Sequence, residues 1–336
     1  MSNQPTLRVL SLGAGRQSSA LLRLSADGTL PKLDAAIFAD TGWEPPAVYE
    51  HLNRLEREIA QPAGIPLYRV SNGNLRNDVL DPNKMRSIPA FTLGPNGELG
   101  KQNRKCTQQY KLRPVLEQVR LLLGAEAGEE LHCRYCDGTG ERVAPWRAKR
   151  GEAEAGPCSV CEGLGTISRV GQPPAGVWAE QWIGFSTDEV ERVSNRGDTR
   201  YSRSRYPLLE LDMSVTQCEA YLAHHGFTSV AKSACTGCPF HGNRHWRNMR
   251  DQRPDEWADA VKFDHEYRVG AGMEHQRFLH ISCLPLEQAP IDRVQPREHR
   301  ADQVTIFDAI YEAELEEGDP DGCSPWACRS GSVAAA

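Results

Sequence analysis

The sequence predicts an α/β fold built round a parallel sheet, with a cysteine-rich insertion and a helical C-terminal part. Three observations point there: a strand, a glycine turn and a helix in immediate succession; a second apolar run ending on a carboxylate; and a β-α-β-α-β alternation across residues 7–70. Residues 7–10, Leu-Arg-Val-Leu, have strand length. Ser11-Leu12-Gly13-Ala14-Gly15-Arg16-Gln17-Ser18-Ser19 follows as the turn, and residues 20–24 carry the apolar spacing of a buried helix face. In such a turn Gly13 and Gly15 can take positive φ and let the backbone approach a ligand. The helix start then aims N–H groups and its positive dipole end at phosphate oxygens. Ser18 and Ser19 add hydroxyl donors in the first helical turn.

Residues 33–39 predict a second buried strand that runs into Asp40-Thr41-Gly42-Trp43-Glu44-Pro45. A carboxylate at the carboxyl end of the second parallel strand is placed to meet a ribose or an adenine edge. Val48, Leu52, Leu55 and Ile59 recur at helical spacing over residues 47–59. Pro62, Gly64 and Pro66 end that helix, and residues 67–70 predict the third strand. Residues 93–99 read as a loop or hairpin tip, and Arg104-Lys105-Cys106-Thr107 leads into a helix over residues 109–123.

From about residue 125 to 170 apolar periodicity gives way to glycine, arginine, glutamate and four cysteines, the mark of an insertion with its own stabilising device. Residues 178–185 restore strand character, and Ser186-Thr187-Asp188-Glu189 has capping chemistry. Ser214-Val215-Thr216-Gln217 is a capping box for a helix closed by Gly226. Helices follow over residues 241–251 and 254–268, with Pro254 in a first turn. Past residue 280 the chain is irregular and acidic, with six carboxylates in residues 312–321 and a disordered tail expected over residues 330–336. The expected division is residues 1–124 as the first part of a nucleotide-binding core, 125–172 as the insertion, 173–290 as the rest of the core with its helices, and 291–336 as the tail.

At 336 residues, 39% hydrophobic and 25% charged, the chain has the composition of a globular protein with a full core. A net charge of −6 provides no general basic field, so a nucleic-acid partner would need a local patch. Arg196, Arg200, Arg203 and Arg205, with Tyr201 and Tyr206 among them, offer one on an expected loop. No run reaches membrane-spanning length and the N-terminus lacks signal-peptide character, so a cytoplasmic, non-membrane protein is expected.

Six of the eleven cysteines form three Cys-x-x-Cys pairs, a pattern of metal sites rather than disulfides in a chain of this kind. Cys133-Arg-Tyr-Cys136-Asp-Gly-Thr-Gly140 and Cys158-Ser-Val-Cys161-Glu-Gly-Leu-Gly165 are two knuckles that place four thiolates round a tetrahedral Zn2+. The expected unit is a zinc ribbon, and its closed site is structural. Cys106, Cys235 and Cys238 form a second set, which a parallel sheet could gather at its carboxyl edge. Three thiolates with an open position suit a [4Fe-4S] cluster; zinc, or no metal, are the alternatives. Cys218 and Cys283 read as core residues, with a fourth ligand to the second set as the alternative for either. Arg104, Lys105, Lys111 and Lys232 flank these cysteines and could bind phosphate or lie in solvent. The tail carries Cys323-Ser-Pro-Trp-Ala-Cys328, suited to thiol exchange if mobile.

Ser-x-Gly-x-Gly-x-Gln-Ser followed by Phe38-Ala39-Asp40-Thr41-Gly42-x-Glu44 resembles the phosphoadenosine phosphosulfate (PAPS) reductase-like family of PP-loop ATP pyrophosphatases, in the branch found in phages and mobile elements. The knuckles resemble the cysteine-rich repeats of J-domain chaperones. The family resemblance covers about residues 7–120 and 178–290. It implies a Rossmann-like parallel sheet of the adenine nucleotide alpha hydrolase type, with ATP or PAPS, and Mg2+ as accompanying ion, held by Ser11, Gly13, Gly15, Gln17, Ser18, Ser19, Asp40, Thr41, Glu44, Arg104, Lys111 and Lys232. Against the usual Ser-Gly-Gly-x-Asp-Ser pattern, Gly13, Ala14 and Gln17 are departures, while Gly15 and Ser18 match. The activity implied is ATP-dependent adenylation of an acceptor, an RNA or DNA base, followed by thiolation at the second cysteine set from a sulfur donor. A sulfonucleotide reductase using Cys323 or Cys328 with a thioredoxin-like reductant is the second expectation. A nucleotide- or nucleic-acid-binding module in phage defence or counter-defence is the third.

Overall fold

Alternating side chains divide the central strands between two layers, and that division builds the molecule. The computed structural model describes residues 4–292, apart from 82–83, 85, 144–150, 152–153, 159, 162, 194–197, 231–232 and 269–274. Along the chain come β1 (Leu7–Ser11), α1 (Arg16–Ala26), β2 (Ala35–Asp40), α2 (Pro46–Leu55), β3 (Leu67–Ser71) and α3 (Leu75–Leu80). The hairpin β4 (Phe91–Leu93) and β5 (Leu99–Lys101) precedes α4 (Arg113–Leu122). The insertion holds β6 (Glu129–His132), β7 (Glu141–Arg142), β8 (Gly156–Pro157) and β9 (Thr166–Arg169). After it come β10 (Ala179–Trp182), β11 (Ser202–Arg205), α5 (Pro207–Glu210), α6 (Val215–His224), α7 (Asn243–Gln252), α8 (Pro254–Arg268) and β12 (Gln276–Phe278).

β3, β2, β1, β10 and β11 lie side by side in that order, all parallel. Leu10, Ala36, Phe38 and Trp182 point to one face, where Leu21, Leu22, Leu24, Val48, Leu52 and Leu222 of α1, α2 and α6 cover them. Val9, Ala35, Ile37 and Ala179 point to the other, against Val115 and Val119 of α4. Both faces of the central strands are therefore dry, as a parallel sheet requires. The order of strands reverses between β1 and β10, which makes the carboxyl ends of those two strands the switch point where open α/β sheets bind ligands.

A second apolar core joins the carboxyl edge of the sheet to the C-terminal helices: Trp43, Leu75, Tyr110, Trp246, Met249, Phe263 and Tyr267 are its large members. Asp264, buried in α8, fixes the following segment by accepting from the N–H groups of Leu279 (2.9 Å) and Leu286 (3.1 Å). β12 closes against β4 in a small antiparallel sheet. Among the described residues no helix is long and apolar enough to cross a membrane.

Several expected elements are corrected. The second strand starts at Ala35, and β10 stops at Trp182. The expected helix over residues 109–123 begins as a π-helical turn, Thr107–Leu112, before Pro114 enters the first turn of α4. The segment expected as an arginine-rich loop contains edge strand β11, hidden in the sequence because Ser-Arg-Ser-Arg carries no apolar face. Ser186 does not cap its own turn; its hydroxyl donates to Asp188 (3.3 Å), whose carboxylate accepts the Val215 N–H (2.6 Å) at the start of α6. The Ser214–Gln217 capping box forms as its sequence implies.

Candidate functional site

The insertion is organised by its four cysteines. Gly138, Gly140, Gly163 and Gly165 all take positive φ, between 72° and 85°, and so turn each knuckle back on itself. The two halves repeat one another: the Cys133 N–H donates to the Gly165 carbonyl (2.9 Å) and the Cys158 N–H to the Gly140 carbonyl (2.7 Å). A Cβ on Gly140 or Gly165 would strike the carbonyl of Gly163 or Gly138 in the opposite knuckle. All four sulfurs are buried and lie within 4.8 Å of one another. Cys133 and Cys158 stand 3.9 Å apart, Cys136 and Cys161 3.6 Å, and the Gly165 N–H points at the Cys161 sulfur (3.3 Å). Burial pushes the Cys161 thiol up to about 11; at Cys136 burial is outweighed by the Gly140 N–H and the neighbouring sulfurs, which bring it down to about 7. Such a quartet could bind a metal ion or an iron–sulfur cluster.

At the switch point the turn after β1 differs from expectation. Neither Gly13 nor Gly15 takes positive φ; buried Ala14 does, at 53°, and Gly15 caps α1 in an extended conformation. The glycines instead leave room. A Cβ on Gly15 would lie 3.7 Å from the Ser233 Cβ, so residue 233 passes directly over the turn. Ser18 Oγ accepts the Gly13 N–H (3.2 Å) and donates to the Gly15 carbonyl (3.3 Å), while Gln17 Nε2 donates to Glu189 (2.9 Å). Ser11 and Ser19 face inward. Ser11 Oγ accepts from Gln181 (2.8 Å), which accepts from Ser202 (2.7 Å), and buried Ser19 pairs with His51 Nε2 (2.9 Å). Burial, helped by the charge of Arg54, lowers His51 to about 4.

The loop after β2 is fixed by its own carboxylates. Asp40 Oδ1 accepts from the Gly42 N–H (2.7 Å) and from the Tyr49 hydroxyl (2.7 Å), and burial together with Asp40 raises Tyr49 above the usual phenol range. Glu44 Oε1 accepts from Thr41 Oγ1 (3.2 Å) and meets Lys111 Nζ at 3.3 Å; both ionic side chains are nearly sealed, Lys111 at 11% and Glu44 at 1% exposure. Thr41 Oγ1 also contacts Cys235 Sγ (3.3 Å), and that sulfur lies 3.7 Å from Glu44 Oε1. The Thr236 N–H donates to the Trp43 carbonyl (3.0 Å), which docks the Cys235-Thr-Gly-Cys238 segment onto the loop. His241 Nε2 donates to the Cys235 carbonyl (2.9 Å).

These contacts gather far-separated residues round one pocket. Thr41, Trp43, Leu75, Arg104, Cys106, Lys111, Cys235, Cys238 and Phe240 are among its lining. Arg104 is nearly buried, with its guanidinium 5.0 Å from the Phe240 ring centre. Among the described residues the Cys133 quartet is the group of ligand atoms that lie within 4.8 Å of one another, while Cys106, Cys235 and Cys238 line one pocket. Cys218 and Cys283 are buried, and burial pushes Cys218 up to about 12 and raises Cys283, as core thiols behave.

The arginine patch is partly engaged inside the protein. Arg205 is held by Glu180 (3.0 Å) and Glu210 (2.7 Å), and Arg203 lies over Trp178. Lys232, Arg196, Cys323 and Cys328 lie outside the described residues.

Sequence reasoning missed Ser233, Gly184 and Gly237. Gly184 follows β10 and packs on the turn, where a Cβ would lie 3.0 Å from the Ser18 nitrogen; a Cβ on Gly237 would run into the Trp43 ring. A glycine just past a strand beside the glycine turn was the available signal for Gly184; nothing in the spacer of a Cys-x-x-Cys pair marks Gly237. Comparison with models of known protein families gives no match, and no curated protein matches the chain.

Proposed function

We propose that the chain is an ATP-dependent sulfur-handling enzyme, in which ATP activates an oxygen of a nucleobase acceptor and sulfur then replaces that oxygen. The single observation that carries the reading is the Ser233–Cys238 segment, which touches the glycine turn at one end and the Asp40 loop and thiol pocket at the other. The turn, with Gly13, Gly15, Gln17 and Ser18 at the start of α1, would bind the phosphates, and Asp40 would orient the ribose or adenine. The acceptor oxygen attacks the α-phosphorus and pyrophosphate leaves. A hydrosulfide donor then adds to the activated carbon, AMP departs with the oxygen, and loss of the S–H proton leaves the thiolated base. Preorganised N–H donors at the turn lower the cost of the charge that develops on the phosphates.

The thiol pocket offers the donor set of an iron–sulfur cluster. Its three cysteines are soft donors brought into one pocket from separate parts of the chain, and three thiolates leave one iron of a [4Fe-4S] cluster open. When bound by Cys106, Cys235 and Cys238, a [4Fe-4S] cluster would supply an open iron site for sulfur. Thr41 and Glu44 brace Cys235, and Lys111 balances the Glu44 charge.

The quartet suits zinc. A Zn–S bond of about 2.3 Å sets tetrahedral sulfurs about 3.8 Å apart, close to the observed 3.9 and 3.6 Å. With four thiolates the ion has no open position, so its role is structural.

The test is pyrophosphate release by anaerobically purified protein given ATP and a pool of RNA or DNA. The reading expects release that requires both ATP and acceptor. Iron-loaded protein that neither binds ATP nor releases pyrophosphate with any acceptor contradicts it.

A further inference from the structure

A cation would strengthen the hold of the turn's backbone N–H groups on a polyphosphate, and the turn's own cation, Arg16, is ion-paired with Glu219 of α6. The segment after β10 offers another. Gly184 lies against Gln17 and Ser18, which brings the 3₁₀ turn Thr187–Arg192 beside the first turn of α1. There Glu189 accepts from Gln17 Nε2 at 2.9 Å and forms an ion pair with Arg192. Arg192 has only 8% of its side chain exposed, and its guanidinium lies 5.0 Å from the centre of the Phe185 ring, which is itself stacked on Tyr206. A carboxylate beside a helix start occupies ground that favours any anion. A guanidinium held there by an aromatic face is set to take two phosphate oxygens side by side.

We propose that Arg192 is a binding residue for the polyphosphate of the nucleotide and that Glu189 is an internal anion which the phosphates displace from it. The inference rests on the nucleotide reading above and adds a site residue at the switch point, where position 17 carries an amide. Phosphate and Glu189 compete for one guanidinium. Removing the cation and removing its internal partner must therefore change affinity in opposite directions.

The experiment measures binding of ATP, inorganic pyrophosphate and adenosine to full-length, anaerobically purified wild type, Arg192→Met, Arg192→Lys and Glu189→Gln. Arg192→Met is expected to lose roughly ten- to hundredfold in affinity for ATP and pyrophosphate, the scale of a charge-assisted hydrogen bond, while adenosine binding holds. Arg192→Lys recovers part of the loss. Glu189→Gln tightens ATP and pyrophosphate several-fold. Unchanged ATP binding in Arg192→Met, or equal losses for ATP and adenosine, overturns the inference alone. If Arg192→Met does not fold, Glu189→Gln decides: tightening supports the proposal, and no change or weakening overturns it. Wild type that binds neither ATP nor pyrophosphate overturns the nucleotide reading and this inference with it.

Discussion

Gly237 has no room for a side chain, because the Trp43 ring fills the space where its Cβ would stand. Trp43 cannot easily yield, since its indole N–H is fixed to Asp259 (2.7 Å) and its ring packs on Phe263. Gly237→Ala should therefore cost about 1–3 kcal/mol, the range for overpacking, read as a lower denaturant midpoint with altered tryptophan fluorescence. An unchanged midpoint would contradict the close approach. A second residue-scale expectation concerns acid. Burial lowers both His51 and His280 to about 4 from an unfolded value near 6.5. The unfolded chain then binds more protons, so the stability tied to neutral imidazoles is complete above pH 6.5 and is lost as pH falls toward 4. The melting temperature should drop over that window, and His51→Gln, which cannot charge, should flatten the drop. A profile in His51→Gln as steep as that of the wild type would assign the acid sensitivity elsewhere.

At the scale of elements, the buried cluster among the described residues of the insertion is the four cysteines with Ile167 against them. If the quartet holds zinc, as proposed above, the fold of the insertion should depend on that metal. Stripping zinc, or Cys158→Ser, should open residues 125–172 to limited proteolysis while the parallel sheet keeps its circular dichroism. A ribbon equally resistant without metal would contradict that dependence. Ser214→Ala should cost α6 about 1 kcal/mol through loss of its cap, measured by chemical denaturation. The capping box and the knuckles could be read from sequence because each is local, with residues a few positions apart that satisfy one another. β11 could not, because an edge strand of alternating serine and arginine earns its place only by pairing with β10. Nor could the strained Ala14, since its conformation is imposed by packing in the core rather than by its own preference.

At the scale of the whole molecule, the alternation of strands and helices gave the parallel sheet, while its order did not follow from local pattern. That β10 lies beside β1, and so creates the switch point, depends on pairing across the whole hairpin, helix and ribbon between β3 and β10. The same topology seats Cys106 in one pocket with Cys235 and Cys238, a meeting that spacing permitted without specifying. Two supports meet there: Cys106 comes from the start of the π-helical turn, while Cys235, braced by Thr41 and Glu44, and Cys238 come from the segment docked on Trp43. The central claim is that these three form one ligand set, separate from the ribbon. Its most direct test is the iron and zinc content of anaerobically purified wild type beside Cys106→Ser. The account predicts about four irons and one zinc per wild-type chain, with iron lost and zinc kept in the variant. Wild type without iron, or a variant that holds its iron unchanged, would contradict it.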